Sequence, residues 1–259
     1  MKSIPDGLSP LGRVAQCMNF ERIADTPPTL VTMDHRAVLV AAWAAKLEGR
    51  FGDRAPLLLR LDAHPDMGEK PRPWAWEKAQ LIDIDSVHAI VNATRQDDGG
   101  WVTAAMQFGL ARDVATFFVH DYHRYPGDEE PYVDHLETSH RLWTFPAVTP
   151  LIETAPARRR CAELLHRLRE SDEPIWFDID MDFATNRLED GTPVPWSAEE
   201  WRAQFDEDAR NLFAGCLRRA ALITIATEPW FCGGLTACGQ IATNLKHTFA
   251  SYGEWFARL

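Results

Sequence analysis

Short apolar runs recur along this chain, and each gives way to polar chemistry at its C-terminal end. Leu30–Met33, Leu57–Leu61, Ala115–Val119, Ile175–Ile179 and Leu222–Ala226 are nearly continuous in apolar character. At or just past their ends stand Asp34-His35, Asp62-Ala-His64, His120-Asp121, Asp178-Ile-Asp180 and Thr227-Glu228. Runs of this length without alternation read as parallel strands covered on both faces. Amphipathic patterns between them predict helices over about 36–49, 86–95, 102–112, 156–169 and 198–219, and from about 236 onward. The 198–219 helix opens with a capping box, Ser197 with Glu200, and Trp196 stands where a hydrophobic staple begins. Strand and helix in alternation predict an α/β fold, a three-layer αβα sandwich with a mostly parallel central sheet. In such sheets the ligand site lies beyond the carboxyl ends of the strands. Five polar strand ends, distant in sequence, are therefore expected on one rim.

Bulk properties narrow the setting. The 259 residues fit a single α/β domain spanning 1–259, and 46% hydrophobic content suffices for a large core. A net charge of −11 argues against nucleic acid as a partner. There is no apolar run of membrane-spanning length and no apolar leader at the N-terminus, so a cytoplasmic protein without membrane partners is expected. The five cysteines are odd in number, and Cys232 and Cys238 are too far apart for a zinc knuckle, which predicts reduced core thiols. Whether identical chains form a homo-oligomer is left open.

In extended backbone alternate residues share a side, which groups Asp62, His64 and Asp66, and likewise Asp178, Asp180 and Asp182. So many carboxylates in one place repel one another unless some are protonated or cations intervene, and divalent metal ions resolve the repulsion. The segment from Asp178 to Glu189 superficially matches a calcium-binding EF-hand loop, but Phe183 stands where that loop needs glycine. A second Asp-x-Asp, Asp83-Ile-Asp85, lies just before Ser86 and reads as helix capping.

Asp62-Ala-His-Pro-Asp66 resembles the DAHxD signature of the arginase-type ureohydrolases, and Phe177-Asp-Ile-Asp180 resembles their second, DxD signature. Thr32-Met-Asp-His35 sits where that family places its first metal-binding histidine. Ile225-Ala-Thr-Glu-Pro229 is similar to the strand end that supplies a glutamate to the substrate guanidinium. The resemblance runs from about residue 30 to 250. It implies two Mn²⁺ ions, one on His35, Asp62, Asp66 and Asp178, the other on His64, Asp62, Asp178 and Asp180, with Asp62 and Asp178 bridging. Oxygen-rich ligation with two histidines suits Mn²⁺. It further implies guanidinium hydrolysis in which Glu228 holds the cation, His120 and Asp121 line the substrate position, and Asp180 or Asp66 moves a proton. His88, His120 and His123 are candidate shuttles, with His88 taken as the catalytic one.

Departures from the family point to the substrate. The residues after the first signature, Met67-Gly-Glu-Lys-Pro-Arg-Pro-Trp-Ala-Trp76, lack the asparagine and serine that read a free amino acid. Thr32-Met33 replaces a glycine pair, and Asp180-Met-Asp-Phe183 replaces the usual end of the second signature. In these features the chain is similar to the peptide arginases of ribosomal-peptide maturation. An arginine-containing precursor peptide is thus the expected partner, its arginine converted to ornithine with release of urea. Two alternatives stay open: a small-guanidine hydrolase of the arginase, agmatinase or formiminoglutamase type, and a non-catalytic metal- or peptide-binding protein.

Overall fold

A computed structural model describes residues 9–17, 21–25, 27–66, 100–120, 132–134, 137–148 and 154–249. Its centre is a seven-stranded sheet: β1 (Glu21–Asp25), β2 (Pro28–Thr32), β3 (Leu57–Leu61), β4 (Asp113–Phe117), β7 (Leu142–Phe145), β8 (Ile175–Asp180) and β11 (Ala220–Ala226). The spatial order is β1-β2-β11-β8-β3-β4-β7. Every neighbouring pair is parallel except β1 with β2. Two small antiparallel pairs complete the strands: β5 (Tyr132–Val133) with β6 (Ser139–His140), and β9 (Thr185–Arg187) with β10 (Pro193–Pro195).

Alternation along the buried strands divides the core in two. Leu57, Leu59 and Leu61 point with Phe177, Ile179, Ile223 and Ile225 to one face, where they meet helices Ala155–Glu170, Glu207–Arg218 and Leu235–Phe249. Leu58, Val114, Trp176 and Leu222 point to the other, against helices Pro10–Cys17, Val38–Leu47 and Trp101–Gln107. Each fully buried Leu, Ile or Phe contributes roughly 1.5–3 kcal/mol relative to exposure. The result is the three-layer αβα sandwich expected. Helix Val38–Leu47 is buried from Val38 to Ala45, and its four alanines let its backbone lie close to the sheet.

The described helices end in places the periodicity does not mark. Instead of one helix over 198–219 there are two, Ala198–Gln204 and Glu207–Arg218. Asp206 interrupts them because its side chain accepts a hydrogen bond from the Ala209 amide and starts a new helix. The predicted capping box is present, with Ser197 and Glu200 bonded to each other's backbone amides, and Trp196 packs on Trp201 as a staple. The predicted helix over 86–95 lies outside the described residues. Cys161, Cys216, Cys232 and Cys238 are buried free thiols, as expected. Among the described residues no helix is long and apolar enough to cross a membrane.

One row of the sheet breaks the apolar pattern. In register across β2, β11, β8, β3, β4 and β7 stand Leu30, Thr224, Asp178, Arg60, Thr116 and Thr144. All five polar members of this row are buried. The row sits near the carboxyl edge, and the functional cluster begins there.

Candidate metal centre

The loop after β3 carries the densest chemistry. Asp62 is fully buried and its Oδ1 accepts from the His64 amide at 2.7 Å. Pro65 excludes helical backbone at His64, and Asp66 adopts a left-handed conformation with φ 46°. Phe118 (φ 74°), just past β4, and Glu228 (φ 30°), just past β11, are strained in the same sense. Three strand ends along one rim thus hold backbone that non-glycine residues avoid, a pattern that concentrates at functional sites.

His35 lies in a short 3₁₀ turn after β2 and points back over the sheet. Its Nε2 is 2.7 Å from Asp178 Oδ2 and its Nδ1 is 2.8 Å from Asp180 Oδ2. Burial opposes a charged ring, but Asp178 and Asp180 outweigh it and raise the His35 pKa well above the ordinary value. Asp178 is itself fixed, since Thr224 donates to its Oδ1 at 2.5 Å and Trp176 Nε1 donates to the same hydroxyl at 2.9 Å. Beyond β8 the chain turns into a 3₁₀ segment, in which Asp180 accepts from the Asp182 amide. Asp182 is thereby carried inward, and its Oδ2 lies 3.0 Å from His64 Nδ1. The hydrogen bond to Asp182 is the main reason the His64 pKa is raised.

Two groups of ligand atoms meet closely enough to hold a cation: His35, Asp62 and Asp180, and Asp62, His64 and Asp182. They share Asp62. Four of the six expected ligands, His35, Asp62, His64 and Asp180, fall in these groups, and Asp178 and Asp66 stand beside them in one cluster. Asp178 and Asp66 fall in neither group. Asp178 spends both oxygens on His35 and Thr224, a placement that orients the imidazole so that Nδ1 faces the cluster. Asp66 Oδ2 accepts from Trp101 Nε1 at 2.9 Å.

The donor set fits a divalent cation. Asp62, Asp178, Asp180 and Asp182 are each at most 2% exposed. Burial first, then the neighbouring Asp182, pushes the Asp180 pKa up to about 7. A carboxylate placed as Asp180 is holds its proton toward neutrality unless a metal ion replaces it, and oxygen donors with imidazole are ligands that Mn²⁺ accepts.

No family model matches the chain, and no curated protein matches it. Among solved structures it is similar to a proclavaminate amidino hydrolase from Streptomyces clavuligerus, with 16% identity over 89% of this chain and 63% of that one, at a TM-score of 0.47. It is also similar to an arginase from Medicago truncatula (12%, 86% and 58%, TM-score 0.41). A hypothetical agmatinase from Burkholderia thailandensis gives 12%, 88% and 59%, TM-score 0.39. The chain spans about three-fifths of the length of these structures. At this distance its own side chains, rather than the likeness, define what the site can do.

Glu228 ends β11 on the same rim, and its Oε1 accepts from the His35 amide at 3.0 Å. Burial raises its pKa, with the charged His35 pulling the other way. His120 is exposed, and its backbone amide donates to Ala63 at 3.0 Å, which places it beside the Asp62–Asp66 loop. Asp121, His88 and His123 lie outside the described residues, as does the segment Met67–Trp76. Three residues of the cluster carry roles that the strand-end pattern does not assign: Asp182, Thr224 and Arg60. Asp182 was within reach of period-two spacing from Asp178 and Asp180. Arg60 contacts Asp62 and Asp66 from within β3.

Proposed function

We propose that this chain is a manganese-dependent hydrolase that cleaves the guanidinium of an arginine side chain within a peptide, leaving ornithine and releasing urea. The observation that carries the reading is the convergence of His35, Asp62, His64, Asp180 and Asp182 from the ends of β2, β3 and β8, with Glu228 from β11 beside them. A divalent ion bound there supplies a water acidified toward neutrality and positive charge at the reacting centre. Glu228, ionised, complements a planar guanidinium, and its bond to the His35 amide sets the direction from which that cation enters. Asp180, 2.8 Å from His35 Nδ1, is the group suited to pass the proton that the departing amine requires. Asp178 and Thr224 keep the His35 ring from rotating.

An apolar rim supports a peptide over a small guanidine. Met33, one residue past β2, is 57% exposed, and Trp230, two residues after Glu228, is 76% exposed. Phe231 places its ring 6.5 Å from that of His64. Exposed apolar side chains beside a charged centre suit the neighbours of an arginine in a polypeptide rather than a free amino-acid head group.

Mass spectrometry of an arginine-containing peptide incubated with Mn²⁺-loaded protein tests the reading. A loss of about 42 Da per modified arginine, matched by urea, is the expected product of this hydrolysis. Faster urea release from free agmatine or arginine would favour the small-guanidine alternative. No urea from any guanidine, with metal bound, would leave a binding protein.

A further inference from the structure

The cluster already contains a cation of its own. Arg60, in the middle of β3, is fully buried. Its guanidinium lies 4.7 Å from the centre of the Trp101 ring, and Nη1 donates to the Pro65 carbonyl at 3.0 Å. Nη2 contacts Asp62 Oδ2 and lies 2.5 Å from Asp66 Oδ2, while Nε is 3.5 Å from Asp178 Oδ2. Ring stacking, a backbone carbonyl and the carboxylates of Asp62 and Asp66 hold this group, while its Nε makes no hydrogen bond.

The same oxygens are the ones that His35 faces. His35 Nδ1 is 3.7 Å from Asp62 Oδ2 and 3.5 Å from Asp66 Oδ2. A metal ion on His35 and Asp62 must therefore share Asp62 Oδ2 with a guanidinium that cannot lose its proton. The second group is clear of this conflict. There His64 Nδ1 faces Asp62 Oδ1 at 3.8 Å and Asp182 Oδ2 at 3.0 Å, on the far side of the Asp62 carboxylate from Arg60.

We propose that Arg60 is a resident cation standing in place of a second metal ion, so that the chain holds one divalent ion, on Asp62, His64 and Asp182. The inference rests on the metal reading of the site given above and changes its expected stoichiometry from two ions to one. Arg60 then lies against Asp66, Asp178 and the inner oxygen of Asp62, and the metal against the outer oxygen of Asp62 with Asp182. Trp101, by stacking on Arg60 and bonding Asp66, is a positioning residue for that pair.

The test counts metal rather than turnover. Full-length protein is saturated with Mn²⁺, desalted and assayed by plasma mass spectrometry, and its electron paramagnetic resonance spectrum is recorded. About one ion per chain with the spectrum of an isolated Mn²⁺ is expected, against about two with an exchange-coupled spectrum if the site is dinuclear. Arg60→Met removes the charge at similar length and is expected to raise the count about twofold, whereas Arg60→Lys keeps it near one. Two ions in the unaltered protein, none at all, or a folded Arg60→Met that still binds one overturns the proposal. If Arg60→Met does not fold, the counts for the unaltered protein and Arg60→Lys decide. One bound ion without urea release from any guanidine sinks the proposed hydrolysis and leaves this inference standing; two bound ions with urea released does the reverse.

Discussion

Thr224 shows how a residue without charge can control a charged site. Its hydroxyl donates to Asp178 and accepts from Trp176, so both a carboxylate and an indole depend on this fully buried side chain. Thr224→Val keeps the shape and leaves the indole N–H unsatisfied, which costs about 1–3 kcal/mol in thermal or denaturant unfolding. Asp178 then loses its tether and His35 its orientation beside the metal group. Asp62→Asn acts more directly: Asp62 belongs to both ligand groups, so metal binding and urea release should both be abolished. Glu228→Gln is expected to leave the bound metal in place and to cut guanidine turnover, since the Glu228 carboxylate bonds a backbone amide, that of His35. Loss of metal from that variant would reassign Glu228 to the centre itself. His35, Asp62, His64, Asp178 and Asp180 announce themselves in the sequence because polar groups at the ends of apolar strands need a reason to be there. Thr224 and Arg60 do not, since each sits inside a strand, and what they contact comes from neighbouring strands or a loop whose register only the fold supplies.

At the scale of elements, the same contrast separates what periodicity reveals from what it hides. Nearly continuous apolar runs marked β2, β3, β4, β8 and β11 to within two residues at each boundary, because burial on both faces leaves room for few polar side chains. Strand β7 gave no such mark. Its four residues, Leu142–Phe145, form the sheet edge and are only half covered over their first half, so the run resembles a loop. Strand β1 lies at the opposite edge, antiparallel, and its Glu21-Arg-Ile-Ala-Asp25 mixes charge with apolar residues. The break at Phe205 is a competition between an amphipathic pattern that continues through it and a capping aspartate that stops it. Phe205 stacks on Trp201 at 4.9 Å and packs on Phe213 and Phe249, so the interruption turns the second helix beneath an aromatic cluster. Asp206→Ala removes the cap and is expected to lower stability by about 1 kcal/mol in chemical unfolding, with little change in metal content. An unchanged midpoint would mean that the aromatic packing alone sets the break.

For the molecule as a whole, the cluster makes stability depend on pH and on metal in opposite senses. Burial and Asp182 raise Asp180 from 3.8 to about 7, and His35 and His64 are both raised from 6.5 by their aspartate neighbours. A group whose pKa is raised on folding stabilises the fold fully below its unfolded value and loses that contribution as pH climbs through its folded value. All three shifts have that sign. The metal-free protein should therefore lose stability across the window from 3.8 to about 7 on account of Asp180, and further above 6.5 on account of the histidines. Metal binds the deprotonated ligands, so its stabilising effect grows over the same range. Thermal unfolding in chelator is expected to show a lower midpoint at about pH 8 than at about pH 5.5. Added Mn²⁺ at about a hundredfold over its dissociation constant should contribute about 2.7 kcal/mol, a gain of several degrees that is larger at the higher pH. A chelated protein that is more stable at the higher pH, or an Mn²⁺ shift that shrinks as pH rises, would show that this cluster is not where the ion binds.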